Sequence, residues 1–204
     1  MKVDGFTGTL NIIFTWITRI ALLNIMWVFF SLKGIIIAGS FPATVSALTI
    51  CRKWKNGEHD IPIWKTFKSI YSREFKVSNI IGWTITMMGI LLYLNFLVMS
   101  NNYEKVPIIV LAAFYLMTFL FSILAVWIFP LISRYNASII QHLKNAMIIG
   151  IVKIHYTLVI FILLFSVVYF SLLFPGMIPF FSFSLAILSW SWISEYIFKK
   201  VEST

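Results

Sequence analysis

Long apolar stretches separated by short polar ones dominate this chain. Four of them contain almost no charged residues and lie at 77–99, 107–133, 156–174 and 180–198. Each is close to or above the roughly 20 apolar residues that an α-helix needs to cross a bilayer. The pattern therefore predicts four membrane-spanning helices after residue 76.

The apolar stretch at the start of the chain can be divided in two ways. One interpretation places spans at 10–32 and 34–52 that together form a hairpin. The other places one span at 20–38 and a shorter helix at 42–54, which would cover about 20 Å of a core about 30 Å thick. We favour a first hairpin at about 10–52 with a short or broken second arm. The pattern leaves open whether residues 34–52 cross the membrane fully.

Residues 52–76 form the longest polar segment of the chain. They contain seven basic and three acidic residues. Pro62 is suited to the first turn of a helix. Four aromatic residues recur after it at helical spacing: Trp64, Phe67, Tyr71 and Phe75. Aromatics interleaved with lysines are typical of a helix lying on an anionic membrane surface, so we predict a basic loop containing a short amphipathic helix.

Composition supports a membrane protein throughout. Of the 204 residues, 60% are hydrophobic and 11% are charged, against roughly 25% charged in soluble domains. Six spans of about 20 residues would leave only short loops and no room for a soluble domain. The sequence therefore predicts an all-α, polytopic transmembrane helical bundle with five to six membrane segments, forming one integral membrane domain over residues 1–204.

The basic residues predict the orientation in the membrane. Twelve of the 16 lysines and arginines lie in the 52–76 loop, in a polar loop at 134–155 and in the C-terminal tail. The two turns on the opposite side, 100–106 and 175–179, hold only Lys105. Because basic loops stay in the cytoplasm, we expect a cytoplasmic C-terminus, and a cytoplasmic N-terminus if the first hairpin crosses twice. The same rule explains the net charge of +9 without a nucleic-acid partner.

Motifs for catalysis, cofactors or metals are missing from the sequence. His142 and His155 stand 13 residues apart without a cluster of further ligands at metal-binding spacing. The zinc-protease, phosphate-loop and serine-hydrolase motifs do not occur. Cys51 is the sole cysteine, so an intramolecular disulfide is impossible. We therefore expect a protein that is not an enzyme and has no cofactor.

Four polar residues interrupt the apolar stretches and are the intramembrane candidates: Arg19, Asn24, Lys33 and Asn95. Polar groups at membrane depth often mark solute pathways or partner contacts. The structural alternatives are that Arg19 and Lys33 extend to the interface and that Asn95 bonds between helices. The sequence does not decide whether Arg19 and Lys33 are buried.

Several short blocks, in a characteristic order and spacing, resemble a known family. They are Met1-Lys2-Val3-Asp4-Gly5-Phe6, Phe41-Pro42-Ala43-Thr44, Arg52-Lys53-Trp54, Gly57-Glu58, Ile61-Pro62, Trp64-Lys65-Thr66-Phe67, Phe129-Pro130-Leu131-Ile132-Ser133-Arg134-Tyr135 and Lys144-Asn145-Ala146. Together they resemble the YesL-like family of bacterial integral membrane proteins, a domain of unknown function. The part after His155 matches only as an apolar pattern.

The resemblance implies a location in the bacterial cell membrane and a role near carbohydrate uptake. Family members are usually encoded beside the sugar-binding lipoproteins and permeases of carbohydrate ABC importers, which implies an accessory component or subunit of such an importer. It implies no catalytic residues.

An importer needs a cytoplasmic element that docks onto its ATPase, and the 52–76 segment is the longest candidate. We therefore expect this segment to contact a permease or ATPase subunit. The candidate docking residues are Arg52, Trp54, Trp64, Phe67 and Tyr71. The alternative is an independent small-solute transporter or channel, which the scarcity of polar residues in the apolar stretches disfavours. The sequence does not indicate the sugar or the oligomeric state.

Overall fold

A computed structural model describes residues 6–101 and 106–202, and within them the protein is built from seven α-helices without a β-strand. The helices are α1 Phe6–Lys33, α2 Ile37–Lys55, α3 Ile63–Asn101, α4 Ile108–Arg134, α5 Ile139–Val152, α6 Ile154–Leu173 and α7 Phe183–Glu202. A turn of 3₁₀-helix, Pro175–Met177, and a short π-helix, Ile178–Ser182, lead into α7. The predicted all-α class is confirmed. The block Met1–Phe6 and the turn at 100–106 lie largely outside the described residues.

Within the described residues, five helical segments are long and apolar enough to cross a membrane. They are α1, α3, α4, α6 and the segment Pro175–Glu202 that contains α7. The four spans predicted after residue 76 each overlap one of them. The protein is therefore a multi-pass membrane helical bundle, and α2 is not among its candidate spans.

The chain reverses direction at residues 34–36, between α1 and α2. Ile35 and Ile36 adopt positive φ values of 58° and 56°. Gly34 and Gly39 meet so closely that a Cβ on Gly34 would lie 2.4 Å from the Cα of Gly39. The two helices run antiparallel from this turn, and a single helix over 20–38 does not form.

Helix α2 occupies the centre of the bundle, packed against α1, α3, α4 and α7. Its side chains are mostly small, and Ala43, Val45, Ala47 and Ile50 are completely buried. Small side chains allow neighbouring helices to approach closely in a membrane protein. The Ser46 hydroxyl donates to the carbonyl of Pro42 at 2.7 Å, so it needs no partner on another helix.

The segment 52–76 was expected to be a basic loop with one short helix. It is mostly helical, so the expected extent of the loop is wrong. Helix α2 continues to Lys55 and α3 begins at Ile63, leaving only residues 56–62 outside helices. Helix α3 has 39 residues, about 58 Å at 1.5 Å per residue and roughly twice the apolar core. The predicted amphipathic helix is thus the first part of α3. The apolar face of this first part packs against the α1–α2 hairpin, and the segment is continuous with the rest of α3.

The polar loop expected at 134–155 also contains a helix, α5. Gly150 packs against α4, where a Cβ would lie 2.1 Å from the Cγ2 of Ile123. His142 is buried in the same helix. Polar residues are scattered through this segment, so the apolar face of α5, which packs against α4, was not predicted from the sequence.

Candidate functional site at the basic end of the bundle

The ends of α2, α4 and α7 and the start of α3 meet at one end of the bundle, called here the basic end. Arg52 at the end of α2 donates from Nη1 to the carbonyl of Arg134 at 3.2 Å. Lys55 Nζ donates to the carbonyl of Trp192 in α7 at 2.5 Å. These two bonds fix the basic end of α2 against α4 and α7. The assignment of this end to the cytoplasm stays a prediction.

An ion-pair network joins α4 to α7 at this end. Arg134 Nη1 donates to a carboxylate oxygen of Glu195, whose residue is only 2% exposed. Arg134 Nη2 also contacts Glu202 Oε2 at 2.5 Å. The Tyr135 hydroxyl donates to Glu202 Oε1 at 2.7 Å, and burial together with this bond raises the pKa of Tyr135 to about 12. Removing Arg134 or Glu195 would leave the other charge buried and uncompensated. This network, called here the clamp, therefore holds the end of α4 against α7.

A cleft opens beside this clamp, between the second half of α2 and the first part of α3. It has a volume of about 420 Å³, within the range of about 300–1,000 Å³ typical of small-molecule sites. Seven of its eight lining residues are polar, and none is acidic: Thr49, Arg52, Lys53, Lys65, Thr66, Ser69 and Arg73, with Ile70 as the apolar one. Sequence reasoning missed this cleft because its walls come from two helices that only the tertiary fold brings together.

Three of the five predicted docking residues are part of the core. Trp54 is 2% exposed, Phe67 is fully buried and Tyr71 is 7% exposed. The Tyr71 hydroxyl donates to the carbonyl of Phe30 at 3.1 Å. These side chains hold α3 to the hairpin and cannot reach a partner. Two of the five predicted docking residues remain accessible to a partner. They are Trp64, which is 52% exposed, and Arg52, which lines the cleft.

Asn24 is a completely buried structural residue. Its amide nitrogen donates to the carbonyls of Ile178 at 3.2 Å and Pro179 at 2.7 Å. Its amide oxygen accepts from the backbone N–H of Ser184 at 3.1 Å. The side chain thus ties α1 to the irregular backbone that leads into α7.

The other three intramembrane candidates contact different parts of the molecule. Arg19 Nη2 lies 3.7 Å from a carboxylate oxygen of Asp60. Lys33 is exposed and its Nζ lies 6.0 Å from the ring centre of Phe30. Asn95 is exposed, donates to the carbonyl of Leu91 within its own helix at 2.8 Å, and borders an open groove whose other lining residues are apolar. These contacts do not assemble a polar path through the bundle.

Within the described residues, no group of three or more His, Cys, Asp or Glu side chains is arranged to hold a metal ion. Cys51 is a buried free thiol in α2. Buried Nδ1 of His142 has no hydrogen-bond partner within the described part of the chain.

The five apolar helices of spanning length in the described part of the chain define a multi-pass integral membrane protein. Comparison with known proteins adds its family. The model "Protein of unknown function, DUF624" matches residues 20–96. The chain belongs to this YesL-like family.

Three relatives from Bacillus subtilis (strain 168) show how far the similarity extends. The uncharacterized protein YteU is 30% identical over 185 residues, 91% of this chain and 83% of YteU. The uncharacterized protein YesV is 28% identical, over 81% of this chain and 79% of its own length. The uncharacterized protein YesL is 26% identical, over 74% and 70% respectively. No solved structure matches the chain.

The residues that the family model matches include the whole lining of the cleft. Residues 20–96 extend from the middle of α1 through α2 and most of α3. All eight residues that line the cleft lie inside this range.

Proposed function

We propose that the protein is a non-enzymatic accessory subunit of a carbohydrate ABC importer, and that a permease or ATPase subunit docks on the exposed face of α3 at the basic end. On this proposal the basic end is cytoplasmic, as the distribution of lysines and arginines favours. The connection to carbohydrate import comes from the family resemblance described above.

The observation that carries the docking proposal is the packing of the first part of α3 against the α1–α2 hairpin. One face of it is buried on the hairpin through Phe67, Ile70 and Tyr71. Trp64 lies at the edge of the same face, with its ring centre 5.6 Å from those of Phe29 and Phe30, yet it is 52% exposed. Lys68, one turn further along the helix, is exposed beside it. Exposed aromatic residues are enriched at protein interfaces, and a helix already held in place loses little entropy on binding.

The structure favours this function over an independent transporter. A transporter needs polar groups that converge on a solute within the membrane. Here the amide of Asn24 makes three hydrogen bonds to backbone groups, and the amide of Asn95 bonds within its own helix. These residues therefore have structural explanations that require no solute.

Affinity purification of the tagged protein in mild detergent tests the proposal, using cells grown on polysaccharide. The docking variant is Trp64→Ala with Lys68→Gln. The control is Trp83→Ala with Lys76→Gln, which removes the same residue types from exposed positions further along α3.

We expect the wild type and the control to recover ABC permease or ATPase subunits in stoichiometric amounts, and the docking variant to lose them while remaining monodisperse. Recovery of the wild type alone, or equal recovery by the docking variant, would refute the proposal.

A further inference from the structure

The cleft between α2 and α3 concentrates positive charge that the protein neutralises only in part. Four cations line it. Lys53 Nζ lies 2.6 Å from Glu58 Oε2, and Arg73 Nε lies 2.7 Å from Glu74 Oε1. Lys65 makes no ion pair within the described residues, so the lining keeps an excess of positive charge.

Arg52 is held in place at the wall of this cleft. It is half-buried, and its Nη1 donates to the carbonyl of Arg134. The nearby carboxylate of Glu195 is already bonded to Arg134. A guanidinium fixed by one backbone bond keeps further N–H donors for a ligand, in a planar array suited to phosphate.

Two hydroxyl groups add hydrogen-bond donors to the cleft, and two helix ends meet beside it. Thr66 and Ser69 line the cleft from the first turns of α3. The start of α3 carries the positive end of its helix dipole, whereas the end of α2 carries a negative end. These two contributions oppose each other, so the four cations supply the main attraction.

We propose that this cleft binds a phosphate group, presented either by an anionic phospholipid headgroup or by a soluble phosphate. Arginine, lysine and hydroxyl donors around one cavity are the groups that hold phosphate oxygens in proteins. The volume of about 420 Å³ has room for a headgroup larger than phosphate itself. This inference is independent of the docking function proposed above.

Native mass spectrometry of protein purified in mild detergent tests the lipid source. The site variant is Lys65→Gln and the control is Lys76→Gln, which removes the same charge from an exposed position on α3 outside the cleft. We expect one anionic phospholipid on wild type and control, and its loss from the site variant. Both lysines are exposed, so neither change should prevent folding.

Titration of delipidated protein distinguishes the two sources. Phosphatidylglycerol and inorganic phosphate are added separately at constant ionic strength, and binding is followed by thermal stabilisation. A lipid site responds to phosphatidylglycerol, whereas a soluble-phosphate site responds to millimolar inorganic phosphate. In either case we expect binding to be at least about tenfold weaker in the site variant, since a charge-assisted bond is lost.

Two results would overturn the proposal. One is the absence of any response to both ligands, and the other is an equal loss in the Lys65→Gln and Lys76→Gln variants, which would indicate a diffuse surface charge effect. Lys65→Gln leaves Trp64 and Lys68 intact. Partner recovery with this variant therefore separates failure of the phosphate site from failure of the docking proposal.

Discussion

Replacing Asn24 with leucine should destabilise the bundle by removing the bonds that tie α1 to the start of α7. The amide of Asn24 makes three hydrogen bonds to backbone groups of residues 178, 179 and 184. Leucine has the same side-chain branching and a larger volume, and it can neither donate nor accept a hydrogen bond. The lead-in to α7 would then lose its hydrogen-bonded connection to α1.

The expected loss follows from the number of bonds. An interhelical hydrogen bond in a membrane protein contributes about 0.6–2 kcal/mol. Three bonds, offset by the more favourable burial of leucine, give a loss of about 2–4 kcal/mol. For a chain of this size that corresponds to a fall in Tm of about 5–15 °C.

Thermal unfolding in detergent, followed by fluorescence-detected size exclusion, measures this effect. Asn95→Leu is the matched control, because Asn95 is exposed and bonds only to the carbonyl of Leu91 in its own helix. We expect the Tm of the control to stay within a few degrees of wild type. A Tm for Asn24→Leu equal to that of the control would show that the buried amide contributes nothing, and the reasoning would fail.

Three further predictions follow from other contacts. Ile35 at the hairpin turn adjoins Gly34, whose Cβ would lie 2.6 Å from the Tyr71 hydroxyl in the basic part of α3. On the proposed orientation, with the basic segment cytoplasmic, Ile35→Cys in a cysteine-free background should react with an impermeant maleimide from the cytoplasmic side only, and external labelling would contradict this. Arg134→Gln should lower the free energy of unfolding in detergent by about 3–5 kcal/mol, because it leaves Glu195 buried without its partner. Adding Glu195→Gln should recover part of that loss, and no recovery would argue against charge as the cause. Gly150→Val should lower the Tm because even a Cβ would overlap Ile123 of α4, and an unchanged Tm would show that α5 moves freely.

The apolar spans and the family were predictable because their signals are local. Lipid-facing side chains must be apolar along the whole length of a span, so the stretch from 156–174 indicates a helix without knowledge of its neighbours. The blocks that resemble the YesL-like family likewise depend only on residue order, and the comparison with YteU confirmed the family.

The roles of the polar residues were not predictable in this way. Tyr71 and Phe67 have the spacing of a surface helix, yet they are buried because the hairpin covers that face of α3. Glu195 is four residues from Lys199 in the sequence, yet its carboxylate is buried and bonds Arg134, which is 61 residues away. Periodicity shows that a helix has two faces without showing what covers either.

The sequence by itself determined the helical class, the late spans and the asymmetric distribution of positive charge, since each depends on residues close together in the chain. Only the tertiary structure decided that α2 lies at the centre and that Asn24 bonds the start of α7. It alone brought Arg52 and Lys65 to one cleft. Hydrogen bonds and ion pairs act over a few ångströms between helices that are distant in sequence, so they are fixed by packing.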